Sequence, residues 1–299
     1  MAQKGATKNK TQYKAFIWLA PALTLLLVFS YYPPIRALML SFTNARGTGV
    51  GEFIAFQNYI EIFTSEVFWI SMRNVVMFII VGMIVGNFMT ILLAELLFNL
   101  KSERLRGIFR YLFILPILVP GVVVILIWRF IVFAGGDNGI ANMILGFLGL
   151  ESSNWYFDPS MAAMSIILTG FPWVAGTSFL IYLAGLQNIS YDVIEASRLD
   201  GANMMQRIFK VDLPLIGGQL KYFVVMGIIG GLQNINLQVL ITGSGPGTTN
   251  ATNVPAFMLY EAAFTYDRYG FASAIGIVIF AMTLGLTILN MKKIKGGEQ

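Results

Sequence analysis

The side chains best suited to chemistry lie in two short stretches of an otherwise apolar chain. Residues 195–216 read EASRLDGANMMQRIFKVDLPLI and carry six charges, on Glu195, Arg198, Asp200, Arg207, Lys210 and Asp212. Residues 230–240 read GGLQNINLQVL and carry four amides, on Gln233, Asn234, Asn236 and Gln238. Because an amide both donates and accepts hydrogen bonds, the second stretch could contact a polar ligand or bond to neighbouring helices.

Several kinds of catalysis are disfavoured by what the chain lacks. It has no cysteine and no histidine, so disulfides, thiol nucleophiles, Cys/His zinc sites and imidazole acid–base chemistry are excluded. We find no clustered carboxylates for a hard cation, and we therefore expect no catalytic residue, no metal and no cofactor on this chain. An ion-coupled transporter acting alone would need carboxylates within the membrane, and only Glu95 comes near.

The composition is that of a multi-span membrane protein. Of 299 residues, 57% are hydrophobic and 12% are charged, whereas soluble proteins average about 25% charged residues. The net charge of +5 comes from basic residues in short segments between apolar runs, which argues against nucleic acid as a partner. No small-residue cleavage site follows the first apolar run, so we expect an uncleaved first span rather than a signal peptide.

Six apolar runs are long enough to cross a membrane, each with about 20 residues or more. The sequence therefore predicts an all-α membrane protein with six transmembrane helices. We expect Pro33 and Pro34 to kink or end the first span. The predicted spans are 15–40, 70–98, 108–134, 161–187, 217–242 and 271–291.

Lysines and arginines predict the orientation, because such residues collect on the cytoplasmic side. Six spans would place four basic segments on one side, and both termini and the charged stretch would then be cytoplasmic. Placing six charges in the membrane core would cost roughly 15–20 kcal/mol, so the charged stretch belongs outside it. The four segments contain Lys4, Lys8, Lys10 and Lys14; Lys101, Arg104, Arg106 and Arg110; Arg198, Arg207, Lys210 and Lys221; and Lys292, Lys293 and Lys295.

The charged stretch has the pattern of a helical hairpin. Ser190 can cap a first helix, Gly201 permits a sharp turn, and Pro214 is expected to end a second helix. The hairpin could dock on a partner through methionine-bearing turns, or it could lie on the membrane surface as an amphipathic connector. Its apolar face would be formed by Met204, Met205, Ile208 and Phe209.

A family resemblance bears on this choice. EASRLDGA, followed by VDLP, resembles the EAA loop of ABC importer permeases, with Ser197 in place of the second alanine. The resemblance implies a type I ABC importer transmembrane fold, in which this loop forms a cytoplasmic coupling helix that docks on an ATPase subunit. The implied ATPase-coupling residues are Glu195, Ala196, Ser197, Asp200, Gly201, Met205, Phe209, Leu213 and Pro214.

Three further segments resemble the maltose-type carbohydrate permeases: AFQNYIEIF (55–63), ITGSGPGTTNAT (241–252) and YEAAFTYDRYGFASAIG (260–276). The resemblance implies import of a sugar or oligosaccharide through a bacterial or archaeal plasma membrane. It also implies a second homologous permease, two ATPase subunits that use ATP and Mg, surrounding lipid, and a solute-binding protein at outer loops 134–160 and 243–270. Import of another solute, or ion-coupled transport, remains an alternative.

The absence of a GxxxxGK[ST] pattern agrees with a separate ATPase, because the chain then has no Walker A loop of its own. We divide the chain into a cytoplasmic tail (1–14), a first span with an outer segment (15–69), a permease core (70–291) that contains the EAA loop (190–214), and a second cytoplasmic tail (292–299).

The resemblance also turns attention to sugar-binding side chains. Asn234 and Gln238 are four residues apart and would share one face of a regular helix, whereas Gln233 and Asn236 would share another. The glycines at 230–231 could loosen that helix. Span four supplies the aromatic residues Phe171 and Trp173 beside Pro172, and span two supplies Asn87. Hydrogen bonding between helices is the alternative role for all of these residues.

Three other features have competing interpretations. Gly82-x-x-x-Gly86 and Gly227-x-x-x-Gly231 could pack against a partner subunit or within the chain. Arg129 is expected to extend outward from span three or to form an outer gate. Glu95 is expected to be solvated or paired.

Overall fold

The computed structural model describes residues 6–47, 49–172, 176–242 and 250–295. These residues form α-helices joined by turns, short 3-10 and π segments, and a bridge between Thr43 and Phe53. The helices are α1 (Ala6–Leu26), α2 (Tyr32–Leu40), α3 (Gln57–Thr64), α4 (Glu66–Phe98), α5 (Glu103–Ile114), α6 (Gly121–Ile127), α7 (Ile140–Phe147), α8 (Ala162–Leu168), α9 (Gly176–Gln187), α10 (Tyr191–Leu199), α11 (Met204–Arg207), α12 (Leu213–Leu215), α13 (Gly217–Gln233), α14 (Asn236–Thr242), α15 (Pro255–Phe264) and α16 (Tyr269–Lys295).

The chain divides into two compact units. The first unit comprises Met1–Thr64 with Leu259–Phe280, and the second comprises Ser65–Met258 with Ala281–Gln299. The predicted division at residue 70 stays a prediction.

Among the described residues, three helices are long and apolar enough to cross a membrane: Phe16–Leu40, Glu66–Phe98 and Tyr269–Asn290. Two bent pairs raise the number to five, namely Glu103–Leu118 with Gly121–Val132, and Met204–Leu215 with Gly217–Gln233. The predicted span at 161–187 corresponds to α8 and α9, two shorter helices on either side of the undescribed residues 173–175. Neither of them is long enough alone to count as a span.

The prolines of the first span do not end its helix. Pro33 and Pro34 stand in the first turn of α2, and helical structure continues to Leu40. A π segment at Leu27–Tyr31 precedes them, and Tyr32 donates its backbone N–H to Leu27. The widened turn changes the hydrogen-bond register just before the two residues that lack an N–H, so the helix accommodates them.

In the second unit, helices α4 and α9 share an apolar core. Phe179, Tyr182, Leu183 and Leu186 recur at helical spacing along α9, and all four are buried. They pack with Ala94 and Leu97 of α4 and with Ile216. This spacing forms a single apolar stripe on α9, which explains why the short helix is held firmly against α4.

The segment between α6 and α8 is organised by one buried amide. Asn142 donates to the carbonyls of Gly136 and Ser153 at 2.7 and 2.9 Å. Its Oδ1 accepts from the indole N–H of Trp155 at 2.8 Å, and Trp155 stacks on Phe133 with ring centroids 4.8 Å apart. A satisfied amide thus ties a loop to an aromatic cluster.

In the first unit, two polar contacts fix the segment after the first span. Asn58 is buried and donates to the carbonyls of Ser41 and Thr43 at 2.8 and 2.9 Å. Arg268 donates from both guanidinium nitrogens to Glu61, at 2.7 and 2.6 Å. These bonds hold α3 and the turn before α16 in place within this unit.

Candidate functional site

The second unit contains a cavity of about 430 Å³, here called the inner cavity. It is bordered by α4, α8, α9, α13 and α14. Its size falls within the usual range for small-molecule sites. The polar side chains in its lining belong to Asn87, Thr90, Thr169, Ser178, Asn234 and Gln238, and the lining also includes Phe78, Met83, Phe223 and Met226.

Asn87 lines the inner cavity and is held by two hydrogen bonds within the chain. The Tyr182 hydroxyl donates to Asn87 Oδ1 at 2.7 Å, and Asn87 Nδ2 donates to the Met83 carbonyl at 2.8 Å. Tyr182 is itself fully buried. Asn87 thus bonds α4 to α9, which is one of its two predicted roles. The same two bonds hold its amide in one orientation at the cavity wall.

The amide-rich stretch is not one regular helix. α13 continues through the glycines at 230–231 and ends at Gln233, and Asn234 is extended with φ −80° and ψ 124°. Asn234 Oδ1 accepts the backbone N–H of Asn236 at 2.9 Å, at the start of α14. The expectation that the glycines loosen the helix is wrong, because the break falls at Asn234, where an amide side chain supports the turn.

This break determines which amides reach the inner cavity. Asn234 and Gln238 both line it, whereas Gln233 and Asn236 are exposed and lie outside its lining. Gln238 is buried and donates to the Thr252 carbonyl at 3.2 Å. The two predicted faces are therefore separated in the structure, although by a helix break rather than by helical rotation.

The aromatic residues predicted in span four contribute less. Phe171 is 53% exposed and lies outside the lining of the inner cavity, because α8 ends at Leu168 and the chain turns before Phe171. Trp173 lies outside the described residues. The aromatic lining comes instead from Phe78 and Phe223, which the sequence analysis missed because both lie within long apolar runs.

The two glycine pairs have different roles. A Cβ at Gly231 or Gly227 would collide with Ile79 or Met83 of α4, so this pair permits close packing of α13 on α4 within the chain. Gly82 and Gly86 line the inner cavity, and none of the described residues lies within 4 Å of a Cβ built on either of them. Of the two pairs, only the second leaves open space.

The charged stretch folds as the predicted hairpin (residues 190–214), with differences at its helix ends. α10 begins after Ser190, but the Ser190 side chain makes no capping hydrogen bond. Gly201 has φ +78°, which a residue with a Cβ rarely adopts. Asn203 and Gln206 form a reciprocal capping box at α11, which the N-x-x-Q spacing could have predicted. Pro214 does not end the second helix, which continues to Leu215.

The hairpin displays an apolar surface. Met205 and Phe209 are each 63% exposed, and Leu199 is 84% exposed. Most of the predicted coupling residues are exposed as well, namely Glu195, Ala196, Asp200, Gly201 and Pro214. Two point inward. Ser197 is buried and donates to the Ile194 carbonyl at 2.7 Å, and Leu213 packs on the core shared by α4 and α9.

Two isolated charges are paired within the chain. Arg129 donates to the Leu240 carbonyl near the end of α14 and lies 4.9 Å from the Phe130 ring centroid. It is half-buried rather than extended outward, because the last turn of a helix offers carbonyls that have no helical partner. Glu95 is buried and accepts a hydrogen bond from Asn99 at 3.1 Å, so it is paired rather than solvated.

These features agree with the sequence match. Residues 86–291 match the family described as the binding-protein-dependent transport system inner membrane component. The chain belongs to this family. The permease is 31% identical over 294 residues to the probable ABC transporter permease protein YurN of Bacillus subtilis (strain 168), which covers 97% of this chain and 99% of the relative. The predicted family is thereby confirmed.

Two further similarities concern sugar-related transporters. The permease is 28% identical over 285 residues to the arabinooligosaccharides transport system permease protein AraP of Halalkalibacterium halodurans, with 95% and 88% of the two chains covered. Its fold matches a chain of the bacterial alginate ABC transporter, crystallised with an alginate pentasaccharide-bound periplasmic protein, with a TM-score of 0.81, 22% identity and 96% of each chain covered. The predicted all-α type I importer fold is confirmed.

Proposed function

We propose that the permease carries a neutral sugar or oligosaccharide inward, driven by ATP hydrolysis on separate subunits. The observation that carries this proposal is the inner cavity, where Asn87, Asn234 and Gln238 meet between helices of a membrane domain. Their amides suit hydroxyl groups, and Phe78 and Phe223 suit the apolar faces of sugar rings. The similarity to AraP, named for arabinooligosaccharides, supports a carbohydrate.

The charge of the lining favours a neutral sugar. None of the described lining residues is charged, and the undescribed residues 173–175 and 243–249 carry no charged side chain either. An acidic sugar entering such a site would lose hydration without gaining a countercharge, which is costly in a low-dielectric environment. The substrate of this chain should therefore differ in charge from alginate, the acidic polysaccharide of the solved transporters.

The hairpin is proposed to couple the ATPase to the membrane helices. Its exposed Leu199, Met205 and Phe209 suit a docking groove on a partner, and the chain has no Walker A pattern of its own. Two ATPase subunits would supply ATP and Mg chemistry. The competing interpretation, a connector on the membrane surface, involves no such partner.

The exposed surface of the first span is consistent with contact to a second permease subunit or to lipid. Its most apolar window, within Phe16–Leu40, has no buried residue in this chain. An extended apolar helix face that the described residues leave uncovered requires an apolar environment. We propose a homologous permease and membrane lipid for this role, and a solute-binding protein at outer loops 134–160 and 243–270, of which residues 243–249 lie outside the described part.

The proposed orientation has cytoplasmic termini and a cytoplasmic hairpin. Because the chain has no cysteine, single thiols can report it. We expect a thiol introduced by Gln206→Cys to react only from the cytoplasm, and one introduced by Asn138→Cys only from outside. Both positions are exposed, so a thiol would be accessible. The opposite labelling pattern would reverse the topology.

The transport function itself is tested by isolation and reconstitution. Mild-detergent purification from native membranes should yield a second permease and an ATPase with this chain. Proteoliposomes with the matching solute-binding protein should take up a neutral oligosaccharide when ATP is supplied, and an ionophore should not abolish uptake. Isolation of the chain alone, with uptake that an ionophore abolishes, would favour the ion-coupled alternative.

A single substitution tests the hairpin. Gly201→Val places a β-branched residue at φ +78° and should distort the turn. We expect uptake to fall while the chain remains inserted in the membrane. Gly107→Val is the matched control, because Gly107 has open space around it and lies outside the positive-φ region. Normal uptake by the Gly201 variant would contradict the coupling role.

A further inference from the structure

We propose that Arg207, through Asn99 and Asp212, is the positioning residue that fixes the hairpin to α4. These three residues and Glu95 form what we call the buried network. This inference rests on the proposed coupling function of the hairpin. It gives a role to residues that the proposed function has not used so far. Arg207 would set how faithfully a movement of the hairpin reaches the inner cavity.

The buried network joins two parts of the second unit that are far apart in sequence. Arg207 Nε donates to Asp212 Oδ2 at 2.9 Å, and Arg207 Nη2 donates to Asn99 Oδ1. Asn99 Nδ2 in turn donates to the backbone carbonyl of Glu95 at 2.8 Å and to Glu95 Oε2 at 3.1 Å. Arg207 therefore joins the hairpin to the last turn of α4 by directional bonds.

The network is unusual in its burial and charge balance. The side chains of Arg207 and Asp212 are 8% and 0% exposed, and Glu95 is buried too. Arg207 bonds Asp212 directly and reaches Glu95 only through Asn99. Among the described residues, Glu95 Oε1 and Asp212 Oδ1 are buried without a hydrogen-bond partner. Burying charge in this way is expensive where apolar packing would hold the chain together at lower cost. The buried network therefore serves to orient the hairpin on α4 rather than to strengthen the contact between them.

Apolar packing alone already attaches the end of the hairpin to α4. Leu213 and Ile216 pack in the same core as Ala94 and Leu97. Such contacts are non-directional and tolerate sliding of one surface over another. The planar guanidinium, bonded to two acceptors at once, fixes the angle between the hairpin and the helix.

α4 provides the route to the inner cavity. Asn87 and Thr90 line that cavity, and they precede Glu95 on the same uninterrupted helix. Glu95 lies eight positions after Asn87 on this helix, which is about 12 Å along a rigid element. A change in the angle at Arg207 would therefore be carried to the cavity wall.

The test is transport stoichiometry in the reconstituted complex. Arg207→Met should lower the sugar transported per ATP hydrolysed on the order of tenfold, within the range for residues along a coupling network. The transport ratio of Arg207→Lys should lie between those of the wild type and Arg207→Met, because the lysine ammonium keeps the charge but lacks the planar guanidinium. Arg104→Met removes an exposed arginine at the start of α5 and should keep the wild-type ratio.

A double variant separates positioning from simple stabilisation. Arg207→Met with Asp212→Leu replaces the ion pair by apolar side chains and should recover membrane levels if Arg207→Met alone is poorly inserted. We expect the double variant to retain ATPase association and hydrolysis but to keep the low transport ratio. A wild-type ratio in the double variant would overturn the inference. Failure of the wild-type chain to co-purify with any ATPase would instead refute the proposed function.

Discussion

The first span and α4 are both long apolar helices, yet they differ in what surrounds them. No residue in the most apolar window of Phe16–Leu40 is buried, whereas α4 buries residues near both of its ends, such as Phe68 and Val75 and, further on, Ala94 and Leu97. α4 also carries Asn87, Thr90 and Glu95, while Phe16–Leu40 has Arg36 as its only charge. Within its unit, α4 packs on α9 and α13 and borders the inner cavity.

The difference shows that hydrophobicity and internal packing are separate properties of a membrane helix. In lipid, an apolar side chain gains little by moving from the bilayer to another helix, so close packing and polar contacts determine association. α4 meets α13 at Gly227 and Gly231 and contacts α9 through the Tyr182 hydroxyl. Phe16–Leu40 presents large exposed side chains instead.

The largest expected effect comes from truncating an aromatic residue that packs on α4. Tyr182→Ala should reduce the free energy of unfolding by about 3–5 kcal/mol, because Tyr182 is fully buried and the site would be left with a cavity. Trp18→Ala is the matched control on the first span, where the side chain is 84% exposed, and the change should stay within about 0.5 kcal/mol. Thermal unfolding of the purified chain in detergent measures both. Equal losses would mean that the first span is packed within the chain.

A smaller effect is expected from overfilling the contact between α13 and α4. Gly231→Leu should destabilise the chain by about 1–3 kcal/mol, because its side chain would collide with Ile79. Gly86→Leu should leave stability unchanged and instead obstruct the inner cavity, lowering uptake in proteoliposomes at least about tenfold. If Gly86→Leu transported normally, the inner cavity would not be the substrate path.

Removing one hydroxyl tests the polar contact of α4 with α9. Tyr182→Phe should reduce the free energy of unfolding by about 1 kcal/mol, the usual contribution of one hydrogen bond. It should also leave Asn87 Oδ1 without the Tyr182 hydroxyl at the cavity wall. We expect the KM for uptake to change more than thermal stability does, since the Asn87 amide loses one of the two hydrogen bonds that orient it. A change in stability without any change in KM would favour a purely helix-bonding role for Asn87.

The smallest effect is confined to alkaline pH and concerns Tyr156, between α7 and α8. Burial raises the pKa of Tyr156 to about 12 from its ordinary value of 10, and the opposing hydrogen bond with Thr169 is the weaker influence. Because the folded chain holds this proton more tightly than the unfolded chain does, stability is fully present below pH 10 and is lost between about pH 10 and 12. Tyr156→Phe should flatten this part of the stability profile, and an unchanged profile would contradict the assignment.

Local sequence patterns predicted some of these elements well. The hairpin and its turn at Gly201 follow from the glycine and the helical spacing, which act within a few residues, although Ser190 makes no capping hydrogen bond at the start of α10. The break at Asn234 was not predicted, because an Asn inside an apolar run is compatible with either a helix or a local turn. The pairing of Arg207 with Asn99 was also missed, since nothing in the local sequence links two residues 108 positions apart.

The sequence by itself determined that this chain is an all-helical membrane permease with a charged hairpin and no catalytic chemistry of the cysteine or histidine kind. Those properties depend on composition and on spacing along one chain segment. Only the tertiary structure decided that Asn87, Asn234 and Gln238 share a cavity. It also decided that Gly82 and Gly86 line that cavity and that Arg207 bonds both Asp212 and Asn99. These depend on which helix faces meet, and apolar packing in a membrane leaves many such choices open until close contacts and buried polar bonds select one.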